Sequence, residues 1–545
     1  MRRPLGSAIV CVLLVAVVAP AGIAAKQRVD VPRFVEETRG SGIDHVYDGG
    51  FDFFVGGGVA AFDCDADGLA ELYFAGGSNP AALYHNDSSA GEALRFSHLI
   101  STSTDLLSVT GAYPLDLDGD EKTDLTVLRN GENVLLRGLG ECRFERANEA
   151  LGFDGGDELT TAFSATWEAS ASLPTLAFGD YIDDSSDASG WRCSDSDLFR
   201  PALSGDGYGP PTRLMPGWCP LSMLFSDWDR SGRRDLRVSN DRAYYPADAG
   251  MEQLWRVAPG EQPRSYTSED GWQPLQLWGM GIASHDVTGD GYPDVYLTSI
   301  GPNRLQTLAE GPDRPTFTDI SIARGVTAVN PVGDDNLPST AWHDEFADAN
   351  NDGLIDLFVA KGNVNEMPDA AIEDPSVLFL GLADGTFIDR AKAAGIDSPY
   401  RGRGAALVDL NLDGLLDVVQ VNRGDRSQLW RNVGSGRAVR PQPIGDWLAL
   451  QLQQAGPNHR AVGAWVEVRA GERTMTREVT IGGGHAGGQL GWIHFGLGSV
   501  GKAQAVEIRV QWPDMEWGPW LPVKANRFVT VDREDAQAVR WRPSG

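Results

Sequence analysis

The stretch of sequence that decides the fold is "FDCDADGLAEL", residues 62–72. Asp63, Asp65 and Asp67 occupy positions 1, 3 and 5 of a short loop, Gly68 follows at position 6, and Glu71 stands at position 9. Alternate residues of a tight loop can turn their oxygens toward one centre, and Ca²⁺ takes about six to eight oxygen ligands. The stretch therefore predicts a calcium-binding loop.

This loop is not an EF-hand. An EF-hand requires a glutamate at position 12 and helices on both sides, whereas position 12 here is Phe74. The flanking stretches "GGGVAAF" (56–62) and "LYFAGG" (72–77) are short, apolar and bounded by glycine, which is typical of strands. The sequence therefore places the loop in a β-hairpin.

The loop recurs with oxygen-bearing side chains at positions 1, 3, 5 and 9, each time followed by an apolar strand. We number the copies in chain order and keep the number 3 for a degenerate copy described next. The predicted calcium ligands are Asp63, Asp65, Asp67 and Glu71 in loop 1; Asp116, Asp118, Asp120 and Asp124 in loop 2; Asp227, Asp229, Ser231 and Asp235 in loop 4; Asp286, Thr288, Asp290 and Asp294 in loop 5; Asp348, Asn350, Asp352 and Asp356 in loop 6; and Asp409, Asn411, Asp413 and Asp417 in loop 7.

The spacing of the loops indicates the architecture. Successive copies begin roughly 50 to 60 residues apart, but about twice that distance separates loop 2 from loop 4. In the gap lies "ATWEASASLPTLAFGDY" (165–181), where Glu168, Ser170, Ser172 and Thr175 stand in place of the acids. We interpret this as loop 3, a copy that holds no metal. A repeat of this length, rich in short strands, predicts a β-propeller.

A second repeated pattern predicts how the propeller closes. The segments "FTDISIARGV" (317–326) and "FIDRAKAAGI" (387–396) follow their loops, and the last repeat lacks this segment. Its counterpart, "FVEETRGSGI" (34–43), lies near the N-terminus. An N-terminal strand that completes the last blade would remove an open sheet edge. The predicted fold class is all-β: a seven-bladed, integrin-α-like β-propeller over residues 26–436.

The N-terminal 25 residues have the composition of a signal peptide. Arg2 and Arg3 precede the apolar run "AIVCVLLVAVVA" and the small residues "PAGIAA", with cleavage expected after Ala24 or Ala25. Lipidation at Cys11 is the alternative. No later segment is long and apolar enough to span a membrane. We therefore expect an exported protein, secreted or periplasmic.

Composition constrains the partners and the cysteines. The net charge of −30 argues against a nucleic-acid partner, which requires a basic surface.

Four cysteines follow Cys11, and four allow three pairings. Cys193 and Cys219 bracket a polar, proline-rich loop, which favours a disulfide between them and would leave Cys64 to pair with Cys142. The alternative is that all four are reduced and buried.

The pattern changes after the propeller. Residues 437–445 have the composition of a linker, and residues 446–534 are predicted to form a small all-β domain followed by a tail, 535–545. In this domain, "AWVEVRA" (464–470) alternates as a half-buried strand does, and "IGGGHAGGQ" (481–489) is predicted to be a glycine-rich turn.

Both parts resemble a known family. The loops resemble FG-GAP/VCBS repeats of integrin-α-like propellers, and "GAWVEVRAGERTMTREVTIGGGHAGGQ" (463–489) with "HFGLG" (494–498) resembles the ASPIC/UnbV domain. The combination is similar to the cartilage acidic protein family. The resemblance implies extracellular calcium binding and supplies no reaction. The departures are loop 3 and Glu121, which stands where loop 2 usually has glycine.

Two classes of function follow. The first is a calcium-stabilised scaffold with several structural Ca²⁺ sites that binds an unidentified extracellular protein or glycan. The second is an exported propeller hydrolase or lyase acting on glycans or peptides. No catalytic residue is predicted, because His285, His343, His485 and His494 all lie in segments expected to be structural.

Two short motifs are weaker signals. Arg423-Gly424-Asp425, an integrin-ligand tripeptide, is predicted to be a turn between strands, since glycine and aspartate are common turn residues. Asn86 begins a glycosylation sequon, "NDS".

Overall fold

The computed structural model describes residues 29–168, 171–183, 192–241, 250–273, 275–328, 337–501 and 505–543. The predicted signal peptide and Ser170 of loop 3 lie outside the described residues. In the part of the chain that is described, no helix is long and apolar enough to cross a membrane.

The chain is all-β and dominated by four-stranded antiparallel sheets, a pattern consistent with a propeller-like fold. Those between residues 59 and 432 are numbered in chain order. Their strands are Val59–Phe62, Glu71–Phe74, Ala82–Asn86 and Phe96–His98 in sheet 1; Val109–Leu115, Asp124–Arg129, Val134–Gly140 and Arg143–Arg146 in sheet 2; Thr160–Thr166, Thr175–Asp180, Ser196–Phe199 and Thr212–Leu214 in sheet 3; Pro220–Ser226, Asp235–Asn240, Gln253–Arg256 and Arg264–Ser265 in sheet 4; Gly279–His285, Asp294–Ser299, Arg304–Leu308 and Phe317–Asp319 in sheet 5; Ala341–Ala347, Asp356–Lys361, Val377–Gly381 and Phe387–Asp389 in sheet 6; and Gly402–Val408, Asp417–Asn422, Gln428–Asn432 and Phe34–Glu36 in sheet 7.

Each numbered loop joins the first and second strands of the sheet with the same number. Helical elements are short: Thr38–Ser41, Ser321–Arg324, Ala391–Ala394 and the 3₁₀ turn Phe51–Phe53. A two-stranded ribbon, Ile182–Asp183 with Arg192–Cys193, follows the second strand of sheet 3.

The N-terminal strand occupies the fourth position of sheet 7, as the sequence predicts. Phe34 pairs with Asn432 and Glu36 with Trp430 in antiparallel register. The first strands of sheets 1 to 7 contact one another in chain order, and that of sheet 7 also contacts that of sheet 1. Apolar clusters fill the spaces between neighbouring sheets.

The predicted C-terminal β domain contains two further sheets packed face to face around an apolar core. Their strands are, in spatial order, Ile493–Gly498, Asp446–Gln453, Phe528–Asp532 and Gln537–Arg540 in sheet 8, and Arg473–Glu478, Trp465–Ala470, Val506–Gln511 and Leu521–Val523 in sheet 9. The predicted tail, 535–545, therefore contains a strand of sheet 8. The sequence pattern did not reveal it because this edge strand is largely exposed and has little alternation.

The glycine-rich segment 481–489 does not form a local turn. We call it the plug, because it runs against the first strands of five sheets. The pairs are Ile481 with Ala165, Gly482 with Leu224, Gly484 with Ile282, Gly487 with Ala112, and Gln489 with Ala61. The short strand Gln489–Leu490 thereby becomes a fifth strand of sheet 1.

Glycine is required on both sides of this contact. A Cβ on Gly58 would lie 1.7 Å from the carbonyl oxygen of Ala486, and one on Gly487 would lie 2.2 Å from that of Val59. At such distances the backbones must separate. Because glycines have no hydrophobic pattern, the sequence does not indicate that this segment docks against the propeller-like region.

We expect Gly58→Ala to destabilise the protein by about 1–3 kcal/mol, because overpacking forces the plug away from the first strand of sheet 1. Thermal unfolding measures the effect. The control is Gly491→Ala, where a Cβ would have no neighbouring atom within 4 Å. Equal melting temperatures for the two variants would contradict the docked plug.

Candidate metal loops

The loops share one backbone framework, held by their own acids. In loop 7, Gly414 N–H donates to Asp409 Oδ2 over 2.7 Å, and Leu415 N–H donates to Asp413 Oδ1 over 3.0 Å. Loop 6 repeats both bonds, from Gly353 to Asp348 and from Leu354 to Asp352. The acids at positions 1 and 5 therefore fold the turn before any metal is considered.

Loop 2 departs from this framework, as its sequence suggests. Glu121 occupies position 6, where loops 1, 6 and 7 have a glycine with positive φ, and it adopts a φ of 69°. Its N–H still donates to Asp116 Oδ2 over 3.1 Å. The left-handed conformation costs a non-glycine residue roughly 1–2 kcal/mol.

The acid at position 9 has a structural role that the sequence analysis missed. Asp417 Oδ2 accepts from Leu410 N–H over 3.0 Å, and its Oδ1 accepts from Asn432 N–H, on the third strand, over 2.8 Å. Asp124 makes the equivalent pair of bonds in loop 2, to Leu117 and Gly138. This acid ties the loop to the third strand of its sheet, which explains why an acid begins the second strand in every numbered sheet except sheet 3.

Loop 7 has the features that a cation would satisfy best. The Asn411 amide nitrogen donates to Glu92 O over 2.8 Å, and Asn411 Oδ1 and Asp413 Oδ2 are buried without a hydrogen-bond partner. Burial, reinforced by repulsion from neighbouring acids, raises the pKa values of Asp409 and Asp417 well above their usual range. Burial also raises the pKa of Asp413 to about 6. These residues fit a Ca²⁺ ion, which would supply the missing partner and neutralise the charge.

Loop 6 has a similar arrangement. Asp348 and Asp356 are buried, and burial with mutual repulsion raises their pKa values well above the usual range. Asn350 donates to the carbonyl of Asp30 over 3.1 Å and to Asp352 Oδ2 over 3.0 Å.

Loops 1 and 2 each bring three acids within 4.8 Å of one another, but basic side chains approach them. His85 Nε2 lies 3.0 Å from Asp65 Oδ2 in loop 1. In loop 2, Arg137 Nε lies 2.7 Å from Asp118 Oδ2, and Lys122 Nζ lies 2.7 Å from Asp120 Oδ2. These cations compete for the oxygens that a metal would use.

In loop 4 an arginine joins the predicted ligands. Arg233 Nε lies 2.9 Å from Asp235 Oδ1, and its Nη2 lies 3.3 Å from Asp229 Oδ2. These carboxylates raise the pKa of Arg233 above its usual range, although burial opposes the shift. The donor set therefore already holds a cation of the chain itself and does not fit Ca²⁺ well. Arg233 lies within "DWDRSGRRDL", but the spacing of the acids does not indicate that it pairs with them.

In loop 3, too, an arginine of the chain pairs with the acid. Arg200 donates from Nε to Glu168 Oε1 over 2.7 Å and from Nη2 to Oε2 over 3.1 Å, and Thr175 donates to Oε1 over 2.7 Å. A guanidinium thus balances the one acid that remains there.

Loop 5 faces solvent. A Cβ on Gly289 or Gly291 would meet no atom within 4 Å, and Asp290 is exposed. Burial raises the pKa of Asp294 to about 6. The Thr288 hydroxyl lies 3.4 Å from Asp294 Oδ1.

The C-terminal domain lies on the loops. Trp492 Nε1 donates to Gly68 O over 3.1 Å in loop 1, and Arg473 donates to Asp352 O over 2.9 Å in loop 6. Glu478 accepts from Asp227 N–H over 2.9 Å in loop 4. The ring of Trp447 packs so closely on Gly414 of loop 7 that a Cβ there would lie 1.9 Å from it.

Two of the four histidines, His343 and His485, meet where the plug contacts the first strand of sheet 6. His485 is fully buried, and its N–H donates to His343 Nδ1 over 3.1 Å. Burial lowers the pKa values of His485 and His494 to about 3, so both are neutral. His343 Nε2 lies 3.6 Å from Glu345 Oε2. His285 packs against the ring of Phe346, 5.8 Å away.

The two short motifs are structural. Arg423 is buried and donates to the carbonyl of Gly49 over 2.7 Å, so the tripeptide is part of a turn and does not present its arginine. Asn86 is 1% exposed, and its amide donates to the carbonyls of Ala70 and Leu410. It is not accessible as a glycosylation acceptor in the folded chain.

Both predicted disulfides are present, Cys193–Cys219 and Cys64–Cys142. Cys64 lies within loop 1, and Cys142 lies at the turn before the last strand of sheet 2. The bond therefore joins a candidate metal loop to the neighbouring sheet.

Comparison with known proteins agrees with this architecture. An FG-GAP-like repeat matches residues 348–420, which include loops 6 and 7, and the ASPIC and UnbV family matches residues 454–538. The chain thus contains a segment similar to an FG-GAP-like repeat and, after it, a segment similar to the ASPIC and UnbV family. It is related to the cartilage acidic protein family, as the sequence motifs indicated.

Two relatives define the extent of the similarity. Cartilage acidic protein 1 of Mus musculus is 28% identical over 175 residues, 30% of this chain and 24% of that protein. The Xenopus tropicalis protein is 28% identical over 237 residues, 41% of this chain and 34% of that protein. The chain thus spans only a quarter to a third of the length of these relatives.

Among solved structures, the chain is similar to one described as BBS1N in complex with ARL6DN. The match covers 76% of this chain and 100% of the other chain, with 10% sequence identity. The TM-score of this match is 0.41.

The raised pKa values predict how metal-free protein responds to pH. Folding favours the protonated acids, because pKa values of about 6 for Asp116 and Asp413 and about 8 for Asp124 exceed the unfolded value of about 4. This stabilisation is fully present below about pH 4 and is lost as pH rises through the folded values. In chelator, the melting temperature should therefore fall between about pH 5 and about pH 8.

Calcium should reverse this trend. Because Ca²⁺ and protons compete for the same oxygens, the rise in melting temperature caused by calcium should grow over the same pH interval. Differential scanning fluorimetry measures both effects. A calcium shift that does not change with pH would contradict the assignment of these acids.

Proposed function

We propose that this chain is an exported, calcium-binding, seven-bladed β-propeller scaffold that binds an extracellular protein or glycan. The observation that carries the proposal is the set of buried, unpartnered oxygens in loop 7, Asn411 Oδ1 and Asp413 Oδ2. The circular order of contacts between first strands supports the seven-bladed ring. The disulfides and the relationship to cartilage acidic protein 1 support export.

Calcium has two roles in this proposal. It neutralises carboxylates that would otherwise repel one another in one turn, and it fixes the loops on which the C-terminal domain lies. Loops 6 and 7 are the first sites to fill, because no basic side chain in the described part of the chain pairs with their acids as closely as Arg137 does in loop 2 or Arg233 in loop 4. The remaining predicted sites, in loops 1, 2 and 5, are weaker.

Binding is favoured over catalysis by the position of the histidines. His485 and His494 are buried and neutral, and the plug and the C-terminal domain cover the loop-side end of the axial region. The geometry offers no specific observation for a hydrolase or lyase.

Calcium should raise the melting temperature of the mature chain. A site with Kd of about 1 mM, typical of extracellular modules, contributes about 1.4 kcal/mol at roughly 10 mM Ca²⁺. Asp413→Asn removes one charge but keeps an acceptor for Leu415 N–H, so it should reduce the calcium shift while leaving the stability in chelator unchanged or higher.

The matched control is Ser172→Ala in loop 3, whose acid pairs with Arg200. This variant should keep the full calcium shift. Identical melting curves of wild type in calcium and in chelator would reject the calcium-binding proposal.

Ring closure is tested by truncation. Deleting residues 29–43 from the mature chain removes the strand Phe34–Glu36 and the ion pair between Glu37 and Arg431, whose atoms lie 2.9 Å apart. The exposed edge of Gln428–Asn432 should lower stability and promote association. Size-exclusion chromatography and thermal unfolding measure both. A monomeric truncated protein with unchanged stability would contradict closure by this strand.

A further inference from the structure

The region around which the first strands are arranged has a second end, away from the metal loops. His485 belongs to the plug, and its ring centroid lies 5.0 Å from that of Trp342. Beyond Trp342 there is a cavity of about 140 Å³. It is lined by residues before the first strands and after the second strands, which is the face opposite the loops.

The lining is mainly apolar. It includes Phe54, Met280 and Trp342, together with aliphatic side chains from sheets 3, 5 and 6. Two groups give it a polar wall: the Asn365 amide and the carboxylate of Asp241, beside Tyr181.

Asp241 is an unusual group to find there. Asp241 is only 6% exposed. Its Oδ2 accepts a hydrogen bond from the Tyr181 hydroxyl over 2.7 Å, whereas its Oδ1 has no partner among the described residues. Burial raises the pKa of Asp241 to about 6, a shift that the Tyr181 hydrogen bond opposes. At neutral pH the group is therefore a largely ionised, buried carboxylate, and such a charge is costly unless a cation pairs with it.

Among the described residues, the two arginines that stack on rings of the lining have other partners. Arg403 stacks on Trp342 at 4.0 Å and Arg423 on Phe54 at 4.6 Å. Arg403 donates to the carbonyl of Val364 over 2.6 Å, and Arg423 donates to Asn365 Oδ1 over 2.6 Å. They hold the aromatic rings and the Asn365 side chain in place, whereas Asp241 is the one charged residue in the described lining.

We propose that this cavity binds a small organic cation, an alkyl- or arylammonium group. Its ammonium pairs with Asp241 Oδ1, and its apolar part lies against Phe54, Met280 and Trp342. Aromatic side chains beside a carboxylate are well suited to ammonium ligands, because the ring faces and the anion both attract positive charge while the apolar walls exclude water. The site is independent of calcium, since it lies on the opposite face from the loops.

The test is isothermal titration calorimetry of the mature full-length chain at neutral pH with three probes of similar size. These are benzylammonium, its neutral analogue benzyl alcohol, and the anion benzoate. We expect benzylammonium to bind at least about tenfold more tightly than benzyl alcohol, which corresponds to about 1.4 kcal/mol. Benzoate should not bind measurably.

Asp241→Asn should remove the preference for the cation, because asparagine still accepts from Tyr181 but has no charge. The control, Asp397→Asn, changes an exposed acid and should bind as wild type does. Equal binding of benzylammonium and benzyl alcohol, tighter binding of benzoate, or no binding of any probe would overturn the proposal. The comparison of probes uses wild type alone, so it decides the question even if Asp241→Asn does not fold.

Discussion

The contact between the plug and the first strands of the sheets is the interaction on which the rest of the structure depends. It consists of backbone groups on both sides, such as Gly484 N–H donating to Ile282 O over 2.7 Å and Ala112 N–H donating to Ala486 O over 3.2 Å. Buried backbone groups need partners, and first strands facing one another around a common centre leave some of theirs unpaired. The C-terminal domain provides those partners through a segment thin enough to enter.

This contact explains why the C-terminal domain and the loops act as one unit. The plug reaches the axial region through the loop-bearing face, so the rest of the domain must lie on the loops. Loops 1, 4, 6 and 7 then have two surfaces, one toward their own sheet, held by the acid at position 9, and one toward the C-terminal domain. The cation requirement of a loop is met in different ways: by Arg233 in loop 4, by Arg200 in loop 3, and in our proposal by Ca²⁺ in loops 6 and 7.

Periodic features of the sequence predicted the fold well. The spacing of the Asp-rich loops predicted the repeated hairpins, and "FVEETRGSGI" predicted the pairing of Phe34–Glu36 with the last sheet. The prediction of a turn at the plug is wrong. A glycine-rich sequence fits both a turn and a close backbone contact, and only the presence of a partner strand distinguishes the two. In the metal loops, the spacing and residue types of the acids predicted which side chains line each loop. The roles of Arg233 and Arg200 could not be predicted, because they depend on side-chain rotamers and on which residues the fold brings close. The sequence did not indicate the cavity around Asp241 either, because residues from several sheets line it.

The pairing of Phe34–Glu36 with Gln428–Asn432 also bears on how the chain can reach this state. The first strand of the mature protein has its partner almost 400 residues downstream (Leu429 N–H donates to Thr38 Oγ1 across 391 positions), and the plug comes later still. Closing so long a loop of chain is entropically costly and slow, so local hairpins form well before this pairing. The hairpins of sheets 1 to 6 can therefore form without the N-terminal segment, and sheet 7 is the sheet whose fourth strand depends on the chain returning across that distance.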